Sequence, residues 1–175
     1  PEPVAENLDD LCRLVRTTDA DVGIAHDGDA DRAIFVDERG DVVDGDASLA
    51  ALVDAAVGAN DVVVAAVNVS QRLVDVVDAA GAALDLTPIG SAHIVTRIRE
   101  RRRAGERVPV AGEGNGGVFF SEYRLTRDGA YTAAKFLERL ADADAPVSEV
   151  VAPYTDYHLV RENITYDGDE LDALL

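Results

Sequence analysis

Three aspartates on alternate positions, Asp27, Asp29 and Asp31, sit in the stretch HDGDADR directly after an apolar run. Carboxylates about 6 Å apart repel by roughly 0.7 kcal/mol per pair in water and about 3 kcal/mol at a protein-like effective dielectric. A cation relieves that repulsion. Hard divalent ions take oxygen ligands, and Mg²⁺ binds a few carboxylates while leaving part of its shell to water and phosphate oxygens. Asp27, Asp29 and Asp31 are therefore a candidate Mg²⁺ set, with Arg32 beside it and Gly28 expected to let the backbone turn. The sequence carries its own controls, because Asp-Gly-Asp occurs at 27–29, 44–46 and 167–169. The later two lack the third aspartate and the arginine, and are expected to be solvated acidic turns. In so Asp-rich a chain a bare D-x-D-x-D pattern arises about 0.4 times by chance, so context has to decide.

Three readings compete for the first loop. In an EF-hand Glu38 falls at position twelve, but Arg32 stands where the sharp turn needs glycine and the preceding segment reads as a strand. A phosphatase would attack with Asp27 and use Asp29 as acid and base; it needs a lysine near the phosphoryl group, and the single lysine, Lys135, sits inside a helical pattern. The third reading is a solvated turn. A second loop, GEGNGG, offers Glu113 and Asn115 among Gly112, Gly114, Gly116 and Gly117. A carboxylate and an amide can accept from and donate to vicinal hydroxyls, and glycines let backbone approach a ligand, although such a loop alone is as well explained as a plain turn.

The elements that must position these loops follow from apolar spacing. Helical spacing covers 7–16, with Cys12 among Leu8, Leu11, Leu14 and Val15 on one buried face; short strands are expected at 22–25, 33–36 and 42–43, and a helix over 46–57. Gly58 and Asn60 suggest a stop and a linker. From 61 the pattern alternates: strand 62–67, helix 70–80, strand 83–87, helix 92–103, strands 108–111 and 118–120, and helix 129–140. Alternation of this kind predicts crossover units in an α/β fold, layered α/β/α with a mixed sheet. A strand is expected at 157–160. The run Arg97, Arg99, Arg101, Arg102 and Arg103 is expected to be a solvated helix face.

Composition limits the function classes. The 175 residues hold 34 acidic and 16 basic side chains, for a net charge of −18. Such a surface repels nucleic acid and anionic lipid, so neither is an expected partner. Abundant Asp with one lysine suits a protein kept soluble in concentrated salt, and points to a halophile. No apolar run approaches the ~20 residues of a membrane span, and a single cysteine allows no internal disulfide, which fits the cytoplasm. The chain begins with Pro1 and suits a piece of something longer.

The stretch GIAHDGDADRAIFVDERGDVVDGD closely resembles the metal-binding loop of the α-D-phosphohexomutases, the family of phosphoglucomutases, phosphomannomutases and phosphoglucosamine mutases. D-G-D-x-D-R arises by chance on the order of 10⁻³ times in such a chain. AGEGNGGVFF resembles the family's sugar-recognition loop. The resemblance implies that Asp27, Asp29 and Asp31 bind Mg²⁺, that Arg32 lies near the transferring phosphoryl group, and that Glu113 and Asn115 grip the sugar of a hexose phosphate. VNVSQRL and TPIGSAHIV resemble further family segments, with Asn68 and Ser91 where some relatives carry lysine and histidine, a departure that points to an archaeal, and with the acidic composition a haloarchaeal, branch. It implies one partial domain (1–58, the end of the metal-binding second domain), one complete domain (59–150, sugar recognition) and a linker (151–175) toward an absent fourth domain. In such enzymes a phosphoserine and a bisphosphate intermediate interconvert hexose 1-phosphate and hexose 6-phosphate. Its serine belongs to a Ser-His context in the first domain, and Ser48, Ser70, Ser91, Ser121 and Ser148 all lack it. The expectation is a fragment that folds but does not turn over alone, with a HAD-like phosphatase using Asp27, or a non-catalytic metal- or sugar-binding remnant, as alternatives.

Overall fold

In the computed structural model, which describes residues 2–157, the chain runs α1 (Asp9–Thr18), β1 (Gly23–Ala25), β2 (Ile34–Val36), β3 (Val42–Val43), α2 (Gly45–Ala56), β4 (Val62–Ala66) and α3 (Gln71–Ala79). It continues through β5 (Ala83–Thr87), α4 (Ser91–Arg103), β6 (Val110–Gly112), β7 (Val118–Phe120), α5 (Gly129–Ala143) and α6 (Val147–Val151). Strands β1, β2 and β3 form an antiparallel sheet in that order. The second sheet has the order β5-β4-β6-β7, with β4 parallel to β5 and β6, and β6 antiparallel to β7. The mixed α/β class and nearly every expected element are present; α6 was not foreseen, and most of the strand expected at 157–160 lies outside the described residues. No helix among the described residues is long and apolar enough to cross a membrane.

Period-two alternation sets the layers. On β4, Val62, Val64 and Ala66 pack with Ile94 and Ile98 of α4, while Val63 and Ala65 join Leu73 and Val77 of α3 and the apolar body of α2. The small sheet does the same: Ile34 and Val36 meet Cys12 and Val15 of α1, and Phe35 turns the other way to stack on Phe136 of α5 with ring centroids 3.9 Å apart. Leu14, expected on the buried face of α1, is exposed instead.

Helix α2 joins the halves. Every residue from Gly45 to Val53 is buried, as expected of a helix apolar all round, and one core unites Phe35 and Val43 with Leu49, Val63, Val110 and Phe136. Its N-terminus corrects the reading of 44–46 as a solvated turn. Asp44 caps the helix by accepting from the amides of Asp46 (3.0 Å) and Ala47 (2.7 Å). Asp46 is buried, accepts from the Ser70 amide at 3.2 Å and lies 3.6 Å from Arg72 Nε, while Arg72 Nη1 donates to Asp44 at 2.7 Å. The segment 58–61 is a tight turn in which Gly58 N donates to Asp61 Oδ2 at 2.9 Å. The arginine run of α4 is corrected in part: Arg99, Arg102 and Arg103 are exposed as expected, whereas Arg97 and Arg101 are half-buried. Arg97 and Arg101 both donate to the buried carboxylate of Asp85, each at 2.5 Å, and Arg102 donates to the Ser121 carbonyl at 2.9 Å.

At the chain's far end, in the stretch expected to be a linker, Val151 and Tyr154 enter the main core. Burial, and then the hydrogen bond to Asp54 Oδ2 at 2.9 Å, push the Tyr154 phenol up to about 12. The folded state thus keeps a proton that the unfolded chain releases near pH 10.0, so this contribution is complete below pH 10.0 and is lost as pH rises to about 12. Tyr154→Phe should cost about 1 kcal/mol at neutral pH through the lost hydrogen bond. In urea denaturation the wild-type advantage should shrink across that alkaline window; an advantage independent of pH would contradict the assignment.

Candidate metal and sugar site

The loop between β1 and β2 brings Asp27, Asp29 and Asp31 together as expected: each offers a carboxylate oxygen, and these atoms lie within 4.8 Å of one another. At that spacing each pair repels by about 3.5 kcal/mol at an effective dielectric near 20. Among the described residues it is the single such acidic, cysteine or histidine cluster with metal-like spacing. Oδ1 of Asp31 is buried with no hydrogen-bond partner, an unsatisfied acceptor that a hard cation would satisfy. The donor set fits Mg²⁺ or another oxygen-seeking divalent ion.

The loop's turn differs from expectation. Gly28 has ordinary backbone angles, and Ala30 takes the left-handed conformation at φ 57°, a strain of about 1–2 kcal/mol for a residue with a Cβ. Two backbone bonds hold it there: Ala30 N donates to Asp27 O at 3.1 Å, and Gly129 N, at the start of α5, donates to Ala30 O at 3.0 Å. Backbone and charge also fix Asp27, whose Oδ1 accepts from Arg32 N at 3.2 Å. Burial alone would raise its pKa, but the Arg32 amide and guanidinium outweigh it and hold the carboxyl below the ordinary value. Arg32 Nε lies 3.2 Å from Asp27 Oδ2 without hydrogen-bond alignment, while Nη1 donates to Glu2 at 3.0 Å. His26 Nδ1 meets the Arg32 carbonyl at 2.7 Å. Glu38, the twelfth position of an EF-hand, instead bonds Ser148, which removes that reading.

The sugar-type loop between β6 and β7 lies directly against this one. Ala33 N donates to Gly116 O at 3.1 Å, and Gly116 sits at φ 88°, with the place of a Cβ only 2.7 Å from Ala33 O. Glu113 is 3% exposed. It accepts from Gly90 N (3.0 Å), Asn115 Nδ2 (3.3 Å) and Arg127 Nη1 (3.0 Å), which fills three of about four acceptor positions of a carboxylate. Asn115 Oδ1 accepts from Gly117 N at 3.0 Å. Beside the loops a cavity of about 540 Å³ is lined by Arg32, Asn68, Ile89, Gly114 and Asn115 together with the N-terminal residues 2–5; Asp27, Asp29, Asp31 and Glu113 do not line it. Asn68 Oδ1 is buried and without a partner. Ser91 starts α4 next to Gly90, and His93 is exposed.

Arg127 is the site residue that sequence reasoning missed. It bonds Asp31 Oδ2 as well as Glu113, across 96 positions of sequence in the first case. The one local signal was its place before Asp128 and Gly129, the cap and first residue of α5. Lys135, which a phosphatase would need near Asp27, lines a different cavity with Tyr131 and Arg139 and pairs with Glu138.

Gly116→Ala should lower stability by about 2 kcal/mol or more, through left-handed strain and the clash with Ala33. Gly28→Ala, whose Cβ meets nothing within 4 Å, should stay within about 0.5 kcal/mol of wild type. Urea denaturation of both variants measures the difference.

Comparison with known proteins places the chain in a family. Residues 44–157 match the model of phosphoglucomutase/phosphomannomutase alpha/beta/alpha domain III, and residues 1–40 match that of domain II. The two matches meet ahead of residue 58, where the sequence suggested a division, so α2 falls with the second. A phosphoglucomutase/phosphomannomutase of Thermococcus kodakarensis is 34% identical over 97% of this chain and 36% of its own length. A phosphoglucosamine mutase of Frankia alni is 38% identical over 90% of this chain and 34% of its own. A crystal structure of a phosphoglucomutase/phosphomannomutase family protein from Burkholderia thailandensis superposes with TM-score 0.72 at 31% identity, over 84% of this chain and 32% of that one. The chain thus spans about a third of the length of the relatives it matches. With two consecutive domain models matched in order and relatives above 30% identity over nearly all of its length, the chain belongs to the phosphoglucomutase/phosphomannomutase family.

Proposed function

We propose that this chain is the metal- and sugar-binding part of a phosphohexomutase that interconverts hexose 1-phosphate and hexose 6-phosphate. The observation that carries the reading is the direct contact of the aspartate loop with the Glu113–Asn115 loop, through the Ala33–Gly116 backbone bond and through Arg127. Asp27, Asp29 and Asp31 hold Mg²⁺, which when bound neutralises and orients a phosphoryl group. Arg32, whose Nε–H has no aligned partner, faces the transferring phosphoryl group. Asn115 and the remaining acceptor position of Glu113 take sugar hydroxyls, and the unpartnered Asn68 Oδ1 is a further acceptor in the cavity that Asn115 lines. In this reading residues 1–58 carry the metal loop and residues 59–150 the sugar loop, and α2, near the division, packs against both. The buried lone thiol of Cys12 suits a cytoplasmic setting, and the net charge of −18 suits concentrated salt.

Four of the five serines are engaged in the fold, and none of the five has the Ser-His context of the family's nucleophile. Ser48 is buried and donates to Gly45 O, Ser70 caps α3, Ser121 donates to Val108 O, and Ser148 bonds Glu38; Ser91 is the first residue of α4. In this reading the reacting serine is supplied by residues outside this sequence, and the isolated chain should bind without turning over.

Calorimetric titration should show Mg²⁺ binding by the 175-residue chain, weakened at least tenfold in Asp29→Asn, and no conversion of glucose 1-phosphate to glucose 6-phosphate. Turnover by the isolated chain would refute the fragment reading. Phosphate release abolished by Asp27→Asn would favour the phosphatase instead, and undiminished Mg²⁺ binding by Asp29→Asn would refute the metal assignment.

A further inference from the structure

Arg127 touches both loops, and its two contacts are of different kinds. One guanidinium nitrogen holds Asp31 Oδ2 and another holds Glu113 Oε2 at 3.0 Å. The fork is planar and rigid, so placing one prong largely fixes the other. On Asp31 this leaves the two oxygens unequal. Oδ2 is taken, whereas Oδ1 is buried and has no hydrogen-bond partner, with Arg32 Nε 3.9 Å away. The room for Arg127 comes from Gly117: a Cβ there would lie 2.5 Å from Arg127 Cδ and 3.1 Å from Nη1. The missing side chain of Gly117 is the space in which the arginine stem lies.

We propose that Arg127 is a positioning residue that couples the cation site to the sugar loop. By holding Asp31 through Oδ2 it aims Oδ1 at the cation, and through its second prong it makes the placement of Glu113 depend on that of Asp31. Outer-shell partners of this type orient metal-binding carboxylates. A ligand's effect passed from one site to another must be reciprocal, so a divalent cation tightens sugar phosphate binding by the same factor as the sugar phosphate tightens cation binding. The proposal rests on the divalent-cation reading given above.

The test is titration of the 175-residue chain with Mn²⁺, free Mn²⁺ being read by electron paramagnetic resonance, with and without glucose 1-phosphate. Arg127→Gln should bind Mn²⁺ about 10-fold more weakly, and the mutual enhancement of Mn²⁺ and glucose 1-phosphate should vanish. Gly117→Ala keeps every charge but displaces the arginine, and should weaken Mn²⁺ binding and remove the enhancement in the same way. Arg127→Lys keeps the charge without the fork and should retain affinity for one ligand but lose the coupling; this variant and Gly117→Ala carry the test if Arg127→Gln does not fold by circular dichroism. Equal or tighter Mn²⁺ binding by Arg127→Gln, or coupling that survives in Gly117→Ala, overturns the proposal alone. A wild-type chain that binds no Mn²⁺ overturns the cation reading and this proposal with it.

Discussion

A carboxylate as deeply buried as Glu113 must be met by donors, since an ionised group left unpaired in the interior costs several kcal/mol. Its three donors come from three places: the start of α4 at Gly90, its own loop at Asn115, and the segment before α5 at Arg127. Satisfying one side chain therefore fixes the relative placement of two helices and a strand connection. Because Arg127 also reaches Asp31, the aspartate loop is held to the same frame. A single buried charge thus sets the spacing of the two loops.

That frame stands on apolar packing. A three-stranded sheet with strands of two or three residues has little stability of its own, and β1, β2 and β3 form just such a sheet. It is held by Phe35 against Phe136 on one face and by Cys12 and Val15 on the other. Burying a phenylalanine contributes about 1.5–3 kcal/mol, more than most exposed ion pairs. The packing of α2 and α5 thus secures the metal loop, and the charges at the site add direction more than stability. Left-handed Ala30 is tolerated because this packing, with the bonds to Asp27 and Gly129, over-determines its conformation.

Elements with strong period were legible. The β4 run, the apolar body of α2 and the helix ending near Arg103 all follow from spacing within one element, and so do the members of each site loop. Partners distant in the sequence were not legible. Nothing local says that Asp44 and Asp46 anchor Arg72, that Arg97 and Arg101 turn inward to Asp85, or that Arg127 closes on Asp31. Each depends on which elements the fold brings together, and charged residues read by local pattern default to the surface. Gly28 is the opposite case: glycine composition suggested the turning position, while backbone bonds placed the strain on Ala30. The short α6 escaped notice because five residues are too few for helical spacing to show.

The use of arginine inside the fold has an effect well beyond the site. Arg72, Arg97, Arg101 and Arg127 are drawn onto buried or half-buried carboxylates, so they do little to offset the acidic groups that face water. With a net charge of −18, the field repels an anion that comes within about a Debye length of the surface, and added salt shortens that range. Capture of such an anion is then slow in dilute buffer and quickens as ionic strength rises. The acidic surface would in this way also set the ionic strength at which an anion reaches the cleft.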